Sequence, residues 1–378
     1  MRSLLPSWLT QRFQRITSGG RYVPEVDGLR FLAISAVVLF HLHGFLSEFA
    51  GAAPSGAFGN AIASTLRHGG LGVQMFFVLS GFILSLPRVG ADKPVNLKKY
   101  YGRRLTRLEP PYLVAMLGLF VAFAFVHGWA AMPDQAPHLL AGLVYLHGPV
   151  FQHLYEPNPV IWSLEVEVQF YLAFPALALL FRLKPVSRRA AMVALTLLFA
   201  WINQVNAWPF ANLLGFLHYF FAGMLLADLN PRVGEAKGHP GWDAAALVTC
   251  AAGWWWFVHT DHGDLLFAGW VFLLYLAGFR SVGFRWLLAR RPVRTIGMMC
   301  YTIYLLHFPL ISFIGHRTLG VGSPGTYPAY LLLQAALVIV PMLMVCAVFF
   351  ALVEQPCMDP QWPQKLAARL KRDAAASS

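Results

Sequence analysis

Ten apolar runs divide the chain, at about 27–47, 70–88, 108–128, 161–182, 188–206, 211–229, 241–259, 262–280, 292–316 and 328–354. Each is near the roughly 20 residues an α-helix needs to cross a hydrocarbon core. Backbone inside a bilayer must satisfy its own hydrogen bonds, so each run predicts a helix. Membrane-spanning strands would instead alternate over short segments. A further apolar piece at 137–148 is too short to cross and is expected at the surface or re-entering. The predicted fold is all-α and polytopic, with about ten transmembrane helices. Residues 27–356 form the transmembrane domain, between an N-terminal segment (1–26) and a C-terminal tail (357–378).

Charge adds an orientation. Only 12% of the 378 residues are charged and 57% are hydrophobic; mean hydropathy is +0.56. Of the 29 Lys and Arg, 27 fall in alternate segments. Among them are Lys98, Lys99, Arg103, Arg104 and Arg107 before run three, and Arg280, Arg285, Arg290, Arg291 and Arg294 before run nine. Arg67 and Arg317 are the exceptions. The positive-inside rule then puts both termini in the cytoplasm. The net charge of +12 is a topology signal, and nucleic acid is not an expected partner; the lipid bilayer is. Cys250, Cys300, Cys346 and Cys357 show no metal-type spacing and read as small buried hydrophobes without disulfides. The basic start of the chain shows no cleaved signal peptide.

Polar residues inside apolar runs are costly, roughly 2.5–3.5 kcal/mol for a charge on insertion scales, and usually serve a purpose. Arg30 and His41 lie eleven residues, or three turns, apart on one helix face. Trp162-Ser163-Leu164-Glu165-Val166-Glu167 opens run four, where an interfacial aromatic belt with a snorkelling carboxylate is the plainer alternative. Arg104 and Arg107 share a face, and their forks suit phosphate; an ordinary flank on anionic lipid is the plainer reading of these residues alone. Tyr301, Tyr304 and His307 in run nine could simply join helices, and a lone His41 could be a neutral, hydrogen-bonded core histidine. Depth sorts them. At ~1.5 Å per residue, His41 is ~21 Å from the inner end of run one, Glu167 ~9 Å below the outer end of run four, and His307 ~22 Å from Pro292. One polar layer is therefore expected in the outer half and a second, of arginines, at the cytoplasmic face. The pair suggests a long phosphorylated molecule lying across the bilayer. No metal site is expected, since neither His41 with His43 nor His259 with His262 has an acidic partner set.

Six segments, in order, resemble the membrane acyltransferase-3 family: Glu25 to Arg30 through His41, Phe76 to Phe82 with Ser80, Arg103 to Pro110, Trp162-Ser163-Leu164 with Glu167, Phe170, Tyr171 and Pro175, Tyr301 to Pro309, and Val353 to Pro356. Glu165 stands where the family often has a small or neutral residue, and Val168 where it often has a second acid. The resemblance implies O-acyl transfer from a cytoplasmic acyl-CoA, usually acetyl-CoA, to a hydroxyl of a glycan or related acceptor, in a bacterial cytoplasmic membrane. Some members carry an extracytoplasmic hydrolase-like domain; this chain resembles the stand-alone type. The expected roles are Arg30, Arg103, Arg104 and Arg107 on the CoA phosphates, His41 as base or acyl carrier, and Glu167 orienting His41. Tyr304, His307, Trp162 and Ser80 are expected to contact substrate. The rival class is a transporter or flippase for a glycan or lipid-linked substrate. It is disfavoured by the absence of visible repeats and broken helices.

Overall fold

The computed structural model describes residues 22–368, apart from 92, 232, 236 and 260–263. Most of the predicted N-terminal segment, the last ten residues and His262 lie outside the described residues. So do Arg2, Arg12, Arg15, Arg21, Arg232, Arg369, Lys371 and Arg372 of the charge argument.

A helix occupies each of the ten predicted runs, and no strand occurs among the described residues. Among the described residues six stretches are long and apolar enough to cross a membrane: Pro24–Phe49, Gly56–Arg88, Leu97–His127, Pro159–Arg182, Pro185–Val205 and Tyr327–Cys357. A bent pair, Arg291–Met298 with Cys300–Thr318, makes a seventh, and Leu213–Leu229 and Leu266–Arg280 are shorter apolar helices. The chain is a multi-pass membrane protein. Its outer surface is correspondingly apolar, with Phe125, Leu332 and Leu352 all at least 70% exposed. A soluble protein seldom displays such a surface over so large an area.

Helix α1 (Pro24–Phe49) is central. Pro24 starts it with a pre-set φ, and Glu25 and Asp27 lie in its first turn, where the helix dipole favours acids. Its Leu29, Ala33, Val37 and Leu42 are buried. α2 (Gly56–Arg67) leads into α3 (Gly72–Ser85), which lies against α1 and crosses α9 (Leu213–Leu229) very closely. A Cβ on Gly81 would enter the van der Waals envelope of the Phe220 carbonyl, and one on Gly223 that of the Val78 carbonyl. Small residues permit this approach of two backbones. α8 (Pro185–Val205) covers the other side of α9, where buried Asp228 binds both Arg188 and Arg189. α10 (Pro240–His259) packs on α11 (Asp264–Arg280), and α12 (Gly283–Leu288) returns the chain to α1.

The predicted run at 108–128 is the upper part of one 31-residue helix, α4 (Leu97–His127). The arginine segment is helical, as the shared face of Arg104 and Arg107 requires, and continuous with the apolar run. Asn96 Oδ1 caps it, accepting from Lys99 N at 3.0 Å. Pro110 cannot donate to the Thr106 carbonyl four residues back; the Trp362 indole N–H does so instead, at 2.8 Å. The uncertain piece at 137–148 becomes α5 (Met132–Leu143) and α6 (His147–Phe151), joined through Tyr145 at φ 60°. Both are too short to cross. Glu165, near the start of α7 (Trp162–Leu177), pins α6 by accepting from His147 N (2.8 Å) and Gly148 N (3.0 Å). This is the place of the carboxylate that departs from the resembled pattern.

Two expectations need correction here. The run at 292–316 is not one straight helix: α13 (Arg291–Met298) and α14 (Cys300–Thr318) meet at 73°. The break is held where Gly297 presses on the Asp27 carbonyl, and where Glu354 accepts from Thr302 N (3.1 Å) and Oγ1 (2.5 Å) in the first turn of α14. Glu354 ends a π-turn, Phe350–Glu354, that follows α15 (Tyr327–Phe349); such bulges are frequent at functional sites. A broken helix is thus present, and its supposed absence no longer separates an enzyme from a transporter. Cys250 is exposed rather than buried. It lies on α10 near exposed Leu247 and Val248.

Candidate active site

A cavity of about 300 Å³ runs between α1, α3, α4, α7 and α14. Its walls change chemistry along its length. Arg30, Arg103, Arg104 and Arg107, the apolar Phe76, Phe77, Leu79 and Ile83 of α3, and Ser163 with Tyr304 all line it; Tyr171, against Arg104, and Ser163, against the Tyr304 hydroxyl, lie two turns or ~12 Å apart along α7, which sets the arginines at one end and Tyr304 at the other. Glu167 and Glu354 are the carboxylates on its lining, so four guanidinium groups outnumber two acids.

The arginines are held, not merely clustered. The Arg104 guanidinium lies 3.6 Å from the centre of the Tyr100 ring and 5.4 Å from that of Tyr171. Tyr100 is itself fixed, with its hydroxyl donating to the Tyr171 carbonyl at 3.1 Å and its ring stacked on Phe174. The Arg104 Nη1 donates to the Tyr100 carbonyl at 3.1 Å, and stacking over aromatic faces leaves the other edge N–H groups for a ligand. Arg30 pairs with Asp27 at 2.7 Å, one turn before it, so its charge is partly neutralised in place. A spacing of three between Asp27 and Arg30 is a signal that the sequence carries and that sequence reasoning passed over.

Glu167 departs from its expected role. Its Oε1 accepts from Ser80 Oγ at 2.6 Å and from the Tyr171 hydroxyl. Through Tyr171 it joins the arginine end, and its hydrogen bonds do not go to His41. The expected depth of Glu167 did not say which groups it meets: α7 supplies Tyr171 one turn on, on the same face, and α3 supplies Ser80. His41 lies instead beside His307, with ring centres 5.1 Å apart, and meets Phe308 edge-on at the same distance. Neither histidine lines the cavity. Tyr304 links them to it: it lines the cavity, its hydroxyl is 2.5 Å from Ser163 Oγ and donates to the Val160 carbonyl, and its ring centre is 5.6 Å from that of His307. Trp162 also lies off the cavity, packed on Phe216. Seven of the ten predicted residues therefore share one cavity (Arg30, Arg103, Arg104, Arg107, Ser80, Glu167 and Tyr304). His41 and His307 form a pair beyond it, and Trp162 does neither. Tyr100, Tyr171, Thr302 and Glu354 were not assigned roles from sequence; all four hold this arrangement together.

Among the described residues no group of three or more His, Cys, Asp or Glu could hold a metal ion. The arrangement fits a different ligand: a polyanion at the arginine end of a tunnel whose far end approaches two imidazoles.

These features define a helical membrane protein with an internal, arginine-mouthed cavity. The acyltransferase-3 family profile, an acyltransferase domain, matches residues 23–353, and the chain belongs to that family. It is similar to O-acetyltransferase OatA of Staphylococcus aureus strain NCTC 8325, at 24% identity over 349 residues, covering 81% of this chain and 53% of that protein. It is also similar to the putative membrane-bound transacylase BcsY of Komagataeibacter xylinus, at 28% over 309 residues, covering 75% and 72%. A third relative is peptidoglycan O-acetyltransferase OatA of Listeria monocytogenes, at 24% over 371 residues, covering 87% and 55%. The chain spans about half the length of the OatA proteins it matches. No solved structure matches it.

Proposed function

We propose that this protein is an O-acyltransferase that takes an acyl group, acetyl being the simplest, from acyl-CoA and passes it to a hydroxyl of a glycan or related acceptor. It works in the bacterial cytoplasmic membrane, with ten spans, both termini inside, the donor entering from the cytoplasm and the acceptor at the outer side. The observation that carries the reading is the cavity with four arginines at one end and Tyr304 at the other, next to the His41–His307 pair. Arg30, Arg103, Arg104 and Arg107 bind the phosphates, Arg104 pre-oriented by Tyr100 and Tyr171. The pantetheine arm follows the apolar α3 wall, and the thioester passes Tyr304 to reach His41. His41 takes the acceptor's proton as that oxygen attacks the thioester carbonyl, a role for which imidazole suits neutral pH. Acyl carriage on His41 is the alternative that sequence left open. Glu167, bonded to Ser80 and Tyr171, sets the cavity wall rather than the base.

The test is purified protein in nanodiscs with radiolabelled acetyl-CoA. Arg104→Ala should weaken binding, and His41→Ala should abolish slow release of free CoA while binding persists. Failure of wild type to bind any short-chain acyl-CoA would overturn the reading. It would favour the transporter class, for which the broken α13–α14 span is the one supporting observation.

A further inference from the structure

The base proposed above needs a partner that fixes its tautomer, and Glu167 is bonded elsewhere. His307 is fully buried. Its Nδ1 lies 2.8 Å from the Tyr304 carbonyl and 3.1 Å from the Ile303 carbonyl. Carbonyl oxygens only accept, so Nδ1 carries the proton and Nε2 bears the lone pair. That Nε2 is buried and has no hydrogen-bond partner. A buried acceptor left unpaired is costly and calls for an explanation. The neighbouring imidazole is His41, its ring centre 5.1 Å from that of His307 and tilted by 50°, and no hydrogen bond joins the two rings in this structure. The other groups around α14 at this level are not competitors. The Tyr304 hydroxyl is engaged by Ser163 and Val160, Asn158 Nδ2 is engaged by the Leu305 carbonyl, and Phe308 is apolar.

We infer that His307 is the positioning residue of His41, its Nε2 accepting the N–H of one His41 nitrogen so that the other nitrogen is held as the base. This rests on the acyl-transfer reading. The active pair is then two imidazoles, with the place usually given to a carboxylate filled by a histidine whose tautomer the α14 backbone sets. In the transfer, the acceptor oxygen bonds to the thioester carbon and the C–S bond breaks. The hydroxyl proton goes to His41 and then to the departing sulfur, leaving a free thiol. While His41 is cationic, its second N–H points at the His307 lone pair, and the His307 Nδ1–H faces two carbonyls that disperse the charge.

The experiment compares wild type, His307→Gln and His307→Leu in nanodiscs. Free thiol released from acetyl-CoA, with water as acceptor, is followed across pH, and CoA binding is measured separately. His307→Leu should lose about 100-fold in kcat, within the usual range for general-base assistance, with KM for acetyl-CoA unchanged. Its acid limb should move to lower pH, because a hydrogen bond that favours the charged form of His41 is gone. The glutamine amide oxygen can accept that bond, so His307→Gln should stay within about 10-fold of wild type and keep the wild-type limb. Equal losses in the two variants with an unmoved limb, or a His307→Leu enzyme as fast as wild type, would overturn the dyad while leaving acyl transfer standing. Wild type that neither binds CoA nor releases thiol would overturn the acyl-transfer reading, and the dyad with it.

Discussion

Replacing Glu354 with alanine tests whether the helix break is built by one side chain. Glu354 is buried and accepts two hydrogen bonds from Thr302, at N and Oγ1. It caps α14 from a different part of the chain, as an N-cap residue would from within. Without it, the Thr302 hydroxyl can turn to a carbonyl in the preceding turn, but its N–H in the first turn of α14 has no carbonyl to find. One lost charge-assisted bond and one stranded donor cost about 2–4 kcal/mol together. Glu354→Gln keeps an acceptor and should cost about 1 kcal/mol. Unfolding in one detergent or nanodisc preparation, followed by denaturant or heat, would read the order wild type, Gln, Ala. α14 carries Tyr304 and His307, so kcat should fall more steeply in Glu354→Ala than acetyl-CoA affinity does. A stability for Glu354→Ala within about 0.5 kcal/mol of wild type, the spread of ordinary surface changes, would refute the cap.

Three further outcomes follow from other contacts. Arg104→Lys keeps the charge but loses the planar group over Tyr100 and Tyr171; apparent KM for acetyl-CoA should rise about tenfold, or about 1.4 kcal/mol, with kcat little changed, and an unchanged KM would count against phosphate binding there. Gly223→Ala places a methyl group against the Val78 carbonyl and should cost about 1–3 kcal/mol through overpacking, seen as a lowered unfolding midpoint; unaltered stability would mean α3 and α9 can separate freely. Burial, then the neighbouring His138 and His153, push His147 down to about 4, below the ~6.5 of an unfolded chain. Its neutral form is favoured by folding, so the related stability is complete above pH ~6.5 and fades as pH falls towards ~4, by about 1–3 kcal/mol in all. His147→Gln should flatten that part of the stability–pH curve, and an acid slope equal to wild type would assign the dependence to other groups.

Apolar runs made the helices legible because bilayer thickness dictates their length. The arginine mouth was legible because Arg104 and Arg107 share a helix face whatever the tertiary packing. The break between Met298 and Cys300 was not. Both flanking segments are helical, and the side chain that binds the first turn of α14, Glu354, lies far along the chain, beyond α15. Depth counted along a straight helix from Pro292 therefore started on the wrong element, yet His307 still meets His41. Glu167 shows the reverse failure. Its depth was counted on an unbroken span, but depth does not say which neighbour a carboxylate faces, and Ser80 and Tyr171 claim it. Glu165 looked like a departure from pattern, and only the fold of 132–151 over α7 shows what it binds.

The positions of Tyr304 and Glu167 together imply an order of events under the proposed function. Tyr304 links the cavity to the histidine pair and is tied to Ser163 and Val160. A thioester arriving from the arginine end has to displace that hydroxyl before it can meet His41. Until it does, His41 and His307 are separated from the cavity, and water that enters through the arginine mouth is kept from the base. A donor long enough to fill the cavity supplies binding energy along its whole length, from phosphates at Arg104 to an acyl group at Tyr304. Using part of that energy to move Tyr304 couples opening to the correct donor. Short anions that occupy only the arginines would bind without opening the path. On this argument, Tyr304→Ala should hydrolyse acetyl-CoA faster than wild type in the absence of acceptor, while binding CoA equally well. Slower hydrolysis with intact binding would instead make the Tyr304 hydroxyl part of the chemistry and remove the barrier from the account.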